Sequence, residues 1–258
     1  MNAADIAAYI GAAAWLPQIG TWIHSYFVSP RVTIMPATEA EVGFTSMGPI
    51  FNIRMAFSAD RKSAILDGLD LVLKHADGES RLLRWVGLYV TLSEIRDEAG
   101  KRQIASRDET PVALKIGTES LVERVVRFQE PRYHESVRPL LNNLVAHFNF
   151  LKQSGDTDYV GKVLSSKECY EMLEARKSAL WWKAGRYDIE VRLGSPSKVA
   201  LTKLHCFFEL TPVDVENLRR NLDTLDAELR NVINSNVPES KPEPVNWNWA
   251  NVGVRRAG

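Results

Sequence analysis

The side chains best suited to metal or nucleophile chemistry are five histidines (His24, His75, His134, His147, His205) and two cysteines (Cys169, Cys206). No CxxC occurs, and no histidine stands at a zinc-ligand spacing from another histidine or from a cysteine. His134-Glu135 opens like a zinc-protease motif, but Arg138 and then Pro139 stand where the second histidine belongs. Asp156-x-Asp158 has the opening spacing of a calcium loop, yet Val160 and Gly161 replace the next oxygen ligand. It reads as a solvated helix–helix turn. A phosphate-cradling loop needs glycines that let backbone amides converge, and Gly161-Lys162 lacks the glycine five residues earlier. No GxSxG nucleophile elbow is present. Glu168, Glu171 and Glu174 alternate with Lys167, Arg176 and Lys177, as on a solvated helix face. Arg124, Arg127, Arg132 and Arg138 lie near Phe128 and Tyr133, but Glu123, Glu130 and Glu135 interleave, so the pattern is a salt-bridged surface. The expectation is no catalytic residue, no metal and no cofactor. A site assembled only in three dimensions stays open.

Charge gives a second bound. The 32 basic and 32 acidic residues cancel, which argues against a protein that coats nucleic acid through bulk electrostatics. Two thiols in 258 residues fit a reducing compartment, hence a cytoplasmic expectation.

The segments that must position any site begin with residues 6–28, which hold no Lys, Arg, Asp or Glu over 23 residues. That length crosses a bilayer, but Pro17, Gln18 and His24 are costly in hydrocarbon. The opening MNAAD has no basic region of the kind a cleaved secretory signal carries. Two helices fit better, the first capped by Asp5 and the second starting at Pro17. Trp15, Ile19, Trp22 and Tyr26 form one stripe, with Leu16, Ile23 and Phe27 beside it. Such a segment suits a membrane surface, a partner's groove or the protein's own body. If it spans, Arg31 places the body on the cytoplasmic face.

From residue 30 the hydrophobic period changes to two. Phe51, Ile53, Met55 and Phe57 alternate with polar or small residues, as do Leu69, Leu71 and Leu73, then Tyr187, Ile189 and Val191, then Cys206, Phe208 and Leu210. Further strands are expected over 31–35, 82–92, 112–116 and 121–128. Turn segments such as HADGES separate several of them. One-sided alternation marks antiparallel sheets. The expected class is mainly β with helices (α+β): a sandwich resembling the immunoglobulin-like fold in architecture, without its cysteine–tryptophan–cysteine framework.

The expected organisation is an apolar helical segment over 1–29 and a sandwich over 30–210, interrupted by a helical insertion at about 131–182. A C-terminal helix follows over 211–235, then a proline-spaced linker and tail over 236–258. In the insertion, Ser165 and Glu168 read as a capping box. The C-terminal helix starts at Thr211 and Pro212. Its apolar seam includes Leu218, Leu222, Leu225 and Leu229 at spacings of 3 and 4, narrow enough for coiled-coil pairing and equally suited to its own sheet or helical block. Trp247 and Trp249 share one face of an extended segment, a pattern for filling pockets or pairing on a sheet edge, in cis or in trans.

Three adhesive segments lead to a functional expectation: a non-enzymatic interaction or adaptor module that binds a protein partner or itself, set in an assembly or at the inner face of a membrane. The alternative is an intracellular sensor or effector that binds a small anionic ligand, in a bacterial stress or antiviral setting.

Overall fold

The computed structural model describes residues 15, 17–20, 28–96, 102–202, 204–235 and 241–256, with side chains left aside over 89–108. The chain is mixed α+β and is dominated by one large antiparallel sheet.

Strand β1 (Arg31–Thr45) and β2 (Gly48–Asp60) form a long hairpin around Ser46-Met47. The glycine at 48 is required twice over. Its φ is +80, and a Cβ there would lie 2.6 Å from the Tyr133 ring. After β3 (Ala64–Leu66) come β4 (Gly68–His75) and β5 (Ser80–Arg96), then β6 (Arg102–Glu109), β7 (Leu114–Ile116) and β8 (Val122–Gln129). The insertion supplies three helices, α1 (Pro131–Gln153), α2 (Tyr159–Leu164) and α3 (Lys167–Ser178). Then follow β9 (Gly185–Gly194), β10 (Ala200–Leu201), β11 (Cys206–Leu210), α4 (Pro212–Arg219), α5 (Asn221–Asn234), β12 (Trp249–Gly253) and β13 (Arg255–Arg256).

Eleven strands share one hydrogen-bond network: nine run in the order β10-β1-β2-β8-β5-β4-β9-β11-β13, with β6 paired to β5 and β12 to β1, while β3 and β7 make a small separate sheet. Every pair is antiparallel except β1 with β10. The far ends of that order meet, because β12 pairs with β1 and β13 pairs with β11, separated only by Val254. The sheet therefore wraps round and is closed by its last strand, which removes an edge that a flat sheet would expose. Phe51 of β2 and Phe208 of β11 are not on neighbouring strands, yet their rings stack at 5.1 Å across the interior. Tyr187 stacks on Phe208 at 5.0 Å. This single network does not show the two separate sheets that an immunoglobulin-like sandwich requires.

Local rules explain most elements. Alternating residues of β4, β9 and β11 point inward as their sequences dictate. Thr211 caps α4 with Asp214 returning the bond to the Thr211 amide, and Pro212 opens the first turn. In α3 the cap is Ser166, which accepts from the Cys169 amide, one residue beyond the expected Ser165. The expected C-terminal helix is divided at Arg220 into α4 and α5. Strand β1 extends ten residues past the expected 31–35, through a register shift between Pro36 and Ala40 that proline and the acidic residues 39 and 41 hid from the pattern.

Two apolar clusters meet along α5. Leu218 and Leu225 lie in the sheet core with Val215, whereas Leu229 and Ile233 pack with Tyr133, Leu144 and Met172 of the helical insertion.

Candidate functional site

Of the three adhesive segments, two are occupied within the chain. Leu218, Leu225 and Leu229 are buried, and Leu222 packs against the sheet core. The seam faces its own sheet and helical block, as the narrow stripe on a short helix also allows.

The tail lies antiparallel along α5. Asn221 is fully buried; its amide nitrogen donates to Phe44 O at 2.8 Å and to Asn248 O at 2.9 Å, and its oxygen accepts from the Asn248 amide at 2.8 Å. Thr224 Oγ1 donates to Asn246 O at 3.4 Å, and Asn231 exchanges two bonds with the Glu243 backbone, at 2.9 and 2.8 Å. Trp249 then lies on Gly43, where a Cβ would sit 2.2 Å from its ring, and Trp247 packs against the sheet core. The tryptophan pair is therefore docked in cis, on a sheet edge.

The third segment is different. Trp15 and Ile19 are 63% and 48% exposed. Leu16, Trp22, Ile23, Tyr26 and Phe27 lie outside the described residues. Among the described residues no helix is long and apolar enough to cross a membrane.

A groove of ≈ 1140 Å³ lies over the outer faces of β4, β5 and β9. Strand pairing fixes its floor. Val72 sits between Leu82 and Glu190, Lys74 between Ser80 and Asp188, and Asp70 between Arg84 and Arg192. One wall is the start of α1, with Pro131, Arg132 and Glu135; the other is Leu201, Leu204 and His205. The groove opens where β9 outruns β11, since β11 pairs only with residues 185–189 of β9. Strand spacing of about 4.8 Å makes the crossing from β8 to β11 roughly 19 Å.

Most charges here are matched in place. Arg192 bonds Glu190 at 2.7 Å, Arg84 bonds Asp70 at 3.1 Å, and Asp188 is held by Arg186 at 2.7 Å. Glu130 is buried, accepts from Trp181 Nε1 at 2.8 Å and faces Arg81 at 3.7 Å. Arg81 in turn lies 5.5 Å above the Trp181 ring. Lys74 and Arg132 are exposed and have no ion-pair partner among the described residues.

Beyond the rim, Lys183 bridges Asp77 at 2.9 Å and Glu79 at 3.0 Å at the β4–β5 turn. The Lys183 ammonium, with the Glu79 amide and His75, holds the Asp77 carboxyl far below the usual carboxylate range. This cluster is exposed and screened, and reads as a brace for the turn. Burial pushes the thiols of Cys169 and Cys206 up, away from the reactive thiolate. Among the described residues no group of three or more His, Cys, Asp or Glu side chains is arranged to hold a metal.

Two residue-level expectations change. Arg176 and Lys177 bind Glu228 and Asp226 of α5, at 3.8 and 3.0 Å, so the face expected to be solvated is partly a helix–helix contact. Arg127, expected on a salt-bridged surface, is half-buried, and desolvation lowers its pKa. Sequence reasoning missed the groove, because its walls come from residues about 70 apart. It also missed the asparagine clasp, although Asn221, Thr224 and Asn231 recur at helical spacing.

Comparison with protein-family profiles, with curated proteins and with solved structures returns no match.

Proposed function

We propose that this protein is a non-enzymatic interaction module, tethered through the apolar segment that contains Trp15 and Ile19. The observation that carries the reading is the contrast among the three adhesive segments. The helix seam and the tryptophan tail are covered by the chain itself, while Trp15 and Ile19 stand exposed. A tryptophan beside an isoleucine on a charge-free stretch favours a membrane interface or an apolar site in an assembly. The wrapped sheet then serves as an immunoglobulin-like body does, a rigid β framework with its binding surfaces outside. In this reading the protein works in the cytoplasm, at the inner face of a membrane or within a protein assembly.

The test uses the full chain and a Trp15→Asp/Ile19→Asp variant. Vesicle flotation reports membrane attachment, and light scattering reports self-association. The reading expects the unsubstituted chain to float or to associate, and the variant to do neither. Identical behaviour of the two chains in both assays overturns it.

A second reading, an intracellular sensor or effector of a small anionic ligand, is favoured by Lys74 and Arg132, which line one groove and have no ion-pair partner among the described residues.

A further inference from the structure

We infer that the groove over β4, β5 and β9 is a binding site for a small organic phosphate, with the phosphate between Lys74 and Arg132 and an apolar body over Val72 and Leu82. The inference rests on the sensor reading of the groove and is independent of the tether.

Charge comes first. Every other arginine of the lining (Arg81, Arg84 and Arg192) has a carboxylate within 4 Å, at Asp70, Glu79, Glu130 or Glu190. Lys74, on the floor, and Arg132, on the α1 wall, bring two further positive charges from two separate elements. Of the lining carboxylates, Asp188 is beside Lys74 in register but bonded to Arg186, and Glu135 stands three residues after Arg132. Two cations offered from the floor and the wall of one groove suit a dianion better than a single carboxylate. Lysine offers a mobile point charge and arginine a planar fork for phosphate oxygens. Arg84 commits only its Nε to Asp70, leaving further donors on the same floor.

The apolar surface comes second. Leu82 is 40% exposed although it lies on a strand in the middle of the sheet, with Val72 half-buried beside it. Leu201 and Leu204 continue this surface on the opposite wall. A phosphate alone leaves that surface wet, whereas a phosphate on an aromatic or aliphatic body covers it.

The experiment is calorimetric titration of the full chain with 1-naphthyl phosphate, with inorganic phosphate and 1-naphthol as the two half-ligands. Saturable one-site binding is expected, at least about tenfold tighter than either half. Lys74→Gln/Arg132→Gln weakens it at least about tenfold, with an unchanged melting temperature, since both side chains are exposed. The charge-keeping pair Lys74→Arg/Arg132→Lys folds by the same criteria and loses less affinity than the glutamine pair, because both charges stay while the arginine fork changes place. Trp15→Asp/Ile19→Asp leaves binding intact. The inference is overturned if the full chain does not bind the probe, or if the glutamine pair binds as tightly as the unsubstituted chain. Loss in the Trp15/Ile19 variant alone overturns it too, by placing the ligand on the tether. A failed flotation assay with groove binding preserved removes the tether reading only.

Discussion

Tyr133 shows how one side chain joins the two halves of the molecule. It is buried, covers Gly48 with its ring and donates from its hydroxyl to Ser46 O at 2.7 Å, tying the start of α1 to the β1–β2 turn. Burial pushes its phenol up to about 12, against about 10 for a solvated tyrosine. Between those values the unfolded chain loses this proton while the folded chain keeps it. The neutral phenol's contribution is therefore complete below pH 10 and falls as pH rises from 10 to 12, by at most about 2–3 kcal/mol. Urea midpoints measured from pH 9 to 12 should decline less steeply for Tyr133→Phe than for the unsubstituted chain. Parallel declines would show that the phenol does not titrate in this way. His134, whose pKa desolvation lowers, follows the opposite sense, favouring the fold above its unfolded pKa and losing that contribution as pH falls.

At the scale of elements, the last strand has the largest consequence. Trp249 anchors β12 to Gly43 of β1, and α5 clasps the approaching chain at residues 243, 246 and 248. Where the register shift opens β1, Thr38 O accepts from the Val254 amide at 2.8 Å, so the irregularity is satisfied by the tail. Trp249→Ala should lower stability by about 2–3 kcal/mol in denaturant unfolding and leave the oligomeric state as it was. Unchanged stability with a lost association would place the tail on a partner instead. The alternating strands β4, β9 and β11 and the capped start of α4 were legible because each depends on neighbours in sequence. The surface each seam residue meets was not, since the sheet core takes Leu225 and the helical cluster takes Leu229, and a seam pattern does not record which surface it faces.

For the whole molecule, the sheet and the helical insertion share α5, so they should unfold together. Leu225 lies in one apolar cluster and Leu229 in the other, on successive turns of the same helix. Tryptophan fluorescence, which reports the sheet through Trp85 and Trp182, and far-ultraviolet helical signal should give coincident urea transitions. Leu229→Ala should shift both equally. Separate midpoints would mean that the insertion is an independent unit. Charge balance, the change from helical to alternating period, the inward faces of the strands and the charge-free stretch at 6–28 follow from local residue order alone. Closure of the sheet through its last strand, docking of the tryptophan tail in cis, and the meeting of Lys74 and Arg132 in one groove emerge from three-dimensional packing. Closure and groove depend on pairings between strands far apart in sequence, and periodicity says which face of a strand is apolar without saying which strand lies beside it.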